Sequence, residues 1–263
     1  MRRRSLLAFL ADLPLVPAHL TRFDQVDVLL VLAVDVSGSI GPDEAKLQRE
    51  GYCRGMVDPK LLTALHSGIH AAMGVAYVEW SEASFQRLVI PWTRIASASD
   101  ANAWAATLAN AHYVSGDATS ISAAVDFSRQ LFAEAPWDTA RRVIDVSGDG
   151  ANNDGEPVQS ARGRAVAEGI TINGLAINGN GLGYNDLHAR SMLRLDGQIA
   201  QVGEYYRDEV IAGPGAFVIE VEGFPAFGNA VRRKLIREVS HIDCDASPSP
   251  TRLTAVTPER VRP

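Results

Sequence analysis

Residues 26–44 read VDVLLVLAVDVSGSIGPDE. The first nine are almost all apolar and rich in Val and Leu. That run falls well short of the roughly 18 uninterrupted apolar residues of a membrane helix, and no later segment reaches that length. It suits a central strand covered on both faces. The strand runs into Asp35-Val-Ser37-Gly-Ser39. Gly38 and Gly41 supply a turn, Pro42 suits the first turn of a helix, and Asp43 and Glu44 suit its positive end. A buried strand that passes through a short polar loop into a helix is the opening of a β-α unit.

The pattern continues outward. The helix is expected to run to Asp58, where Pro59 interrupts it, with a second helical piece over 60–67. GVAYVEW (74–80) and FQRLVIPW (85–92) are β-rich and separated by four residues, which predicts a hairpin at a sheet edge. Residues 100–112 form an alanine-rich helix capped by Ser99 or Asp100, and 121–135 a second helix closed by Pro136 and Trp137. Then come a strand at 143–146, a helix at 157–168 stopped by Gly169, and a strand at 170–177. A helix over 195–211, a strand over 216–221 and a basic amphipathic helix over 227–241 complete the pattern. The alternation predicts an α/β fold: three layers around a doubly wound, mostly parallel sheet with one antiparallel edge strand. No internal repeat divides it. The expected organisation is a leader over 1–24, one domain over 25–242 and a disordered tail over 243–263.

Composition bounds the function. The chain has 263 residues, 46% apolar and 21% charged, an ordinary globular balance. The net charge of -6, with no evident basic patch, disfavours nucleic acid. Arg2, Arg3 and Arg4 precede an apolar stretch interrupted by Asp12, Pro14 and Pro17. This reads either as a secretory signal, placing the protein in the periplasm or outside the cell, or as an uncleaved leader on a cytoplasmic protein. Cys53 and Cys244 form no CxxC, so they are either one disulfide or two unrelated thiols. Nothing in the sequence sets an oligomeric state.

In a doubly wound sheet, ligands bind at the carboxyl ends of the strands, where strand order reverses. Chemistry is therefore expected in the loops leaving the strands. Asp35, Ser37 and Ser39 place a carboxylate and two hydroxyls at alternate positions of a tight loop, able to aim oxygens at one centre. Such a set suits magnesium or manganese, with calcium also compatible. The competing reading is local turns and a helix cap. The buried strand before the loop and the Pro-Asp-Glu helix start after it favour metal. Thr119 precedes a helix and Asp149 follows the 143–146 strand. Alone, the first reads as a cap and the second as an Asp-Gly turn.

Together Asp35, Ser37, Ser39, Thr119 and Asp149 resemble, in chain order, the metal-ion-dependent adhesion site (MIDAS) of von Willebrand factor A domains. The resemblance spans about 26–240. It is narrowest to a bacterial branch known only as a domain of unknown function, through LAVDVSGSI, YVEW, RRVIDVSGDG, ITINGLAI, YYRDEVIAGPGAF and RRKLIRE. It implies that Ser37 and Ser39 ligate a Mg2+, Mn2+ or Ca2+ ion directly. Thr119 would act directly or through water, and Asp35 and Asp149 would hold coordinated waters or ligate. It also implies an open coordination position that takes an Asp or Glu carboxylate from a protein partner. Hydroxyl ligands leave most of the ion's charge unneutralised, so an incoming carboxylate completes the site.

Two positions depart from the family pattern. Asp117 stands where many members have glycine, adding negative charge near the site. Ser147-Gly148-Asp149-Gly150 lacks the usual Thr directly before Asp. Asp145, inside its strand, is expected to pair with Arg141 or Arg142, or to be hydrogen-bonded, rather than to ligate a metal. Arg232, Arg233, Lys234 and Arg237 are expected to form a solvated helix face. The 149–160 loop fails EF-hand spacing, and Gly179-x-Gly181-x-Gly183 lacks the third glycine offset of a dinucleotide fingerprint. With no GxxxxGK[ST] and no GxSxG, the expected protein is a metal-dependent binding module rather than an enzyme. The alternatives are a metal-dependent phosphoester hydrolase, weakened because Ser37 stands where a second carboxylate would be needed, and a scaffold with a structural metal.

Overall fold

The computed structural model describes residues 25–178 and 202–240, together with the backbone of residues 194–195 and 198–199. The leader, the Gly179–Gly183 turn, Cys244 and the tail lie outside the described residues.

The apolar run becomes β1 (Val28–Asp35), buried along its whole length. Helices α1 (Pro42–Met56) and α2 (Pro59–His66) lead to β2 (Met73–Trp80), which pairs parallel with β1. β3 (Gln86–Ile95) returns antiparallel beside β2, forming the expected hairpin. Helices α3 (Ala98–Ala109) and α4 (Ile121–Leu131) precede β4 (Arg142–Gly148), which is parallel to β1 on its other side. After α5 (Val158–Ala167), β5 (Ile170–Asn178) adds parallel to β4. β6 (Arg194–Leu195) and β7 (Gln198–Ile199) form a separate two-residue ladder. α6 (Val202–Tyr205) continues as a π-helical turn (Tyr206–Val210). β8 (Val218–Glu222) closes the sheet parallel to β5, and α7 (Phe227–Val239) follows.

The sheet order is β3-β2-β1-β4-β5-β8, six strands with one antiparallel edge. Along β1 the alternation is strict. Val28, Leu30, Leu32 and Val34 share a core with α1, α2, α3 and α7. Leu29, Val31 and Ala33 face α4, α5 and the 202–210 segment. Both faces are covered, so a strand of this kind carries no polar alternation. Each of these Val and Leu side chains, when fully buried, contributes about 1.5–3 kcal/mol of burial free energy. The chain leaves β1 toward β2 and later returns to lay β4 on its opposite side, so strand order reverses between the carboxyl ends of β1 and β4.

Four expectations need correction. α3 is capped by Ser97, whose hydroxyl accepts from the Asp100 N–H at 3.2 Å, while Asp100 accepts from Ala96 N–H; the cap is neither Ser99 nor Asp100. The helix expected over 195–211 is helical from Val202 among the described residues, while Leu195 belongs to the β6–β7 ladder. Asp145 pairs with Lys234 at 2.7 Å, not with an arginine. Strand alternation turns Val143, Asp145 and Ser147 toward α7, while Arg141 donates to the Glu238 carbonyl oxygen and Arg142 to that of Glu168. Lys234 is therefore 1% exposed and no part of a solvated face; it contacts both Asp145 and Glu238. Among the described residues no helix is long and apolar enough to cross a membrane.

Candidate metal centre

Five side chains meet where strand order reverses. Asp35 is the last residue of β1 and fully buried. Its Oδ1 accepts from the Ser37 N–H at 2.7 Å, an Asx-type turn that aims the loop inward. The Ser37 and Ser39 hydroxyls are 3.3 Å apart. Thr119 Oγ1 donates to Ser37 Oγ at 3.3 Å, across 82 residues of sequence. Ser39 Oγ donates to Asp149 Oδ1 at 2.7 Å. Every residue singled out from the sequence is in the group, and each is joined to another member of it.

The loops are fixed to one another. Val36 N–H donates to Trp80 O, and Gly116 N–H donates to Val36 O. Ser81 supports the Thr119 loop twice, donating through its hydroxyl to Ala118 O and accepting at its carbonyl from Ser120 N–H. Asn153 grips Thr119 reciprocally: its Oδ1 accepts from Thr119 N–H and its N–H donates to Thr119 O, both at 2.8 Å. Gly116 is needed at its position because any side chain there would run into Glu82 and Ser81. Gly38 passes the Asp117 carbonyl so closely that a Cβ would sit 2.9 Å from it.

The electrostatics suit a cation. Asp35 Oδ2 is buried with no hydrogen-bond partner among the described residues. Burial, and after it the charge of Asp149, push the Asp35 carboxyl well above its ordinary range. Asp149 is also raised, first by burial, with Glu44 adding to the effect against a lowering bond from Ser39. Two carboxylates and three hydroxyls are a hard-oxygen set of the kind Mg2+, Mn2+ or Ca2+ takes. Among the described residues no three of His, Cys, Asp and Glu gather at one point, so hydroxyls carry the rest of this donor set. The residues therefore fit a divalent ion, and the orphaned Asp35 oxygen gives the plainest sign of it.

Sequence reasoning missed the floor of the site. Tyr206, in the π-helical turn, is fully buried with an unpartnered hydroxyl. That hydroxyl and Asp35 Oδ2 lie 2.7 and 2.8 Å from where a Cβ on Gly148 would be. Gly148 thus leaves room for both oxygens behind the loops. Tyr205 accepts through its hydroxyl from the Asn152 N–H, tying the same segment to the Asp149 loop. A tyrosine pair in an amphipathic stretch reads as packing; only the burial of an unpaired hydroxyl beside a carboxylate marks it out.

Sheet order and layers define an α/β fold, a mostly parallel six-stranded sheet with one antiparallel edge flanked by helices, similar to that of von Willebrand factor A neighbours. The chain belongs to the family described as "Protein of unknown function (DUF1194)", whose model matches residues 25–243. No curated protein matches the sequence. Among solved structures, the fold is similar to proximal thread matrix protein 1 from the mussel byssus with a zinc-occupied MIDAS motif. That pair shares 15% identity at a TM-score of 0.55, covering 81% of this chain and 48% of that one. It is also similar to the pilus adhesin SpaC from Lactobacillus rhamnosus GG in its open conformation, at 12% identity and a TM-score of 0.55, covering 82% of this chain and 30% of that one. The chain thus spans less than half the length of either, and at these identities the likeness is one of fold.

Proposed function

We propose that this chain is a divalent-metal-dependent protein-binding module of the adhesion type. Asp35, Ser37, Ser39, Thr119 and Asp149 would hold Mg2+, with Mn2+ or Ca2+ as substitutes. When bound, the ion supplies a Lewis-acidic position for an Asp or Glu carboxylate of a partner protein. One observation carries the reading: hydroxyls and carboxylates from three separate loops are hydrogen-bonded to one another at the strand-order reversal, and one oxygen of the buried Asp35 has no partner among the described residues. A structure neighbour with a zinc-occupied MIDAS motif supports a divalent ion in this kind of fold. The module works by binding rather than turnover, since Ser37 stands where a phosphoesterase of this layout would need its second carboxylate.

Calorimetric titration with Mn2+ tests the reading. One ion should bind per chain, and Ser37→Ala or Asp35→Ala should remove it with the far-ultraviolet circular dichroism unchanged. Capture of protein partners should then be lost with chelator and in the same variants. Full partner capture by Ser37→Ala would show that the metal is not the contact, and magnesium-dependent phosphoesterase turnover lost in Asp35→Ala would replace binding with catalysis.

A further inference from the structure

The core between β4 and α7 holds three ionisable side chains that the metal reading does not use. Asp145 on β4 and Lys234 and Glu238 on α7 are each 1% exposed. Lys234 Nζ lies 2.7 Å from Asp145 Oδ1 and 3.1 Å from Glu238 Oε1. Asn173 Nδ2 donates to both Glu238 oxygens, at 2.9 and 3.0 Å, while Asn173 Oδ1 accepts from the Phe217 N–H. The Phe217 ring lies 5.0 Å from the ammonium. One cation thus faces two carboxylates where water is excluded, and a plain ion pair repays such burial poorly. Asp145 Oδ1 moreover makes no well-formed hydrogen bond, close as it is to Nζ. A nitrogen nucleophile, a carboxyl group and a second carboxylate able to carry protons are held together by the packing of a strand against a helix.

We propose that Lys234 and Asp145 close an intramolecular amide bond in the folded chain, with Glu238 as the proton carrier. The inference stands apart from the metal reading. The ion-paired set is the reactant, so freshly folded chain carries it and gains the bond with time. The Lys234 ammonium passes one proton to the Asp145 carboxylate, leaving an amine and a carboxylic acid. The amine lone pair forms the Nζ–Cγ bond. Glu238 takes a second proton from that nitrogen and returns it to the departing hydroxyl, so the Cγ–O bond breaks and one water leaves. The third proton stays on the amide nitrogen, and Glu238 ends as it began. No oxidant or outside reactant is needed. The bond replaces two buried charges with a neutral amide, relieving their desolvation cost. Contact within the fold removes the entropic cost of bringing the groups together. The product ties α7 covalently to a central strand of the sheet.

Mass spectrometry of the full chain, purified and held folded at neutral pH, tests this. The intact mass should fall by that of one water. Trypsin should then yield a branched peptide joining residues 143–162 to 234–237, because an amidated Lys234 is no longer cut. Glu238→Gln should slow closure about a hundredfold, the scale of a lost proton carrier. Lys234→Arg, whose guanidinium stays protonated, should give no branched peptide. An unchanged mass, with cleavage after Lys234, in wild-type chain that circular dichroism shows to be folded overturns the proposal. So does loss of one water without the branched peptide, which places the dehydration elsewhere, or loss of ammonia, which moves the bond to Asn173. Equal branching in urea-unfolded chain also overturns it, since the folded core would then have no part. Equal closure in a folded Glu238→Gln chain refutes the role given to Glu238.

Discussion

Replacing Gly148 with alanine probes the floor of the candidate site with a single methyl group. Gly148 is the last residue of β4, and its backbone needs no left-handed conformation. The added Cβ would lie 2.7 Å from the Tyr206 hydroxyl, 2.8 Å from Asp35 Oδ2 and 3.3 Å from Asp35 Cβ. Two of these are closer than non-bonded carbon and oxygen tolerate, and both neighbours are fully buried. Overpacking of this kind costs about 1–3 kcal/mol. Alanine in place of glycine returns about 0.4–1 kcal/mol by restricting the unfolded chain. The clash wins, and Tm should fall by about 2–8 °C for a domain of this size. The strain also falls on the Asp35 carboxylate, so Mn2+ affinity should drop about tenfold or more, as it does when the support of a ligand is disturbed. Gly150 is the matched control: nothing lies within 4 Å of a Cβ there, so Gly150→Ala should leave Tm unchanged or slightly raised and affinity intact. Differential scanning fluorimetry and calorimetry read both quantities. The reasoning is refuted if Gly148→Ala matches Gly150→Ala in Tm and metal affinity.

Other outcomes follow from the same structure. Mg2+ at about 100 times its dissociation constant should stabilise the wild-type chain by about 2.7 kcal/mol, a rise in Tm that Ser37→Ala should lack; an equal rise in that variant contradicts the site. Tyr206→Phe keeps the ring packing and removes only the hydroxyl beside Asp35, so it should weaken Mn2+ binding several-fold with Tm nearly unchanged, measured by the same titration. Lys234→Met leaves Asp145 and Glu238 buried without their cation and should cost about 3–5 kcal/mol in urea unfolding at pH 7. Burial first, and then the Glu238 charge, raise Asp145 to about 6 against the pull of Lys234. Because that value is raised, the stability Asp145 contributes is present below the ordinary carboxylate range and lost as pH rises through about 6. Without the ammonium the loss should be steeper, so much of the deficit of Lys234→Met should be recovered at pH 5. A deficit equal at pH 5 and pH 7 would contradict this.

The sheet was legible because hydrophobic runs of strand length carry their own signature. The 26–34 segment suits a strand buried on both faces, and the glycine and proline punctuation after it set the loop and helix that follow. The ligand loops were legible because five residues resemble, in chain order, the adhesion-site pattern of von Willebrand factor A domains, so residues 82 positions apart could be grouped before any contact was seen. What stayed hidden depended on tertiary partners. Lys234 looks like its arginine neighbours until β4 alternation places Asp145 beneath it. Ser97 competes with Ser99 and Asp100 for one cap, and the outcome depends on where β3 ends. Tyr206 carries no motif, and its place at the site depends on the absent side chain of Gly148.

The most direct measurement is anomalous diffraction from crystals of the chain grown with Mn2+. The account predicts one strong manganese peak per chain within ~2.0–2.6 Å of the Ser37 and Ser39 hydroxyl oxygens, a distance hard cations keep to their ligands, on the side shared by Thr119 and Asp149. A peak bound elsewhere on the chain, or none at saturating Mn2+, would contradict it.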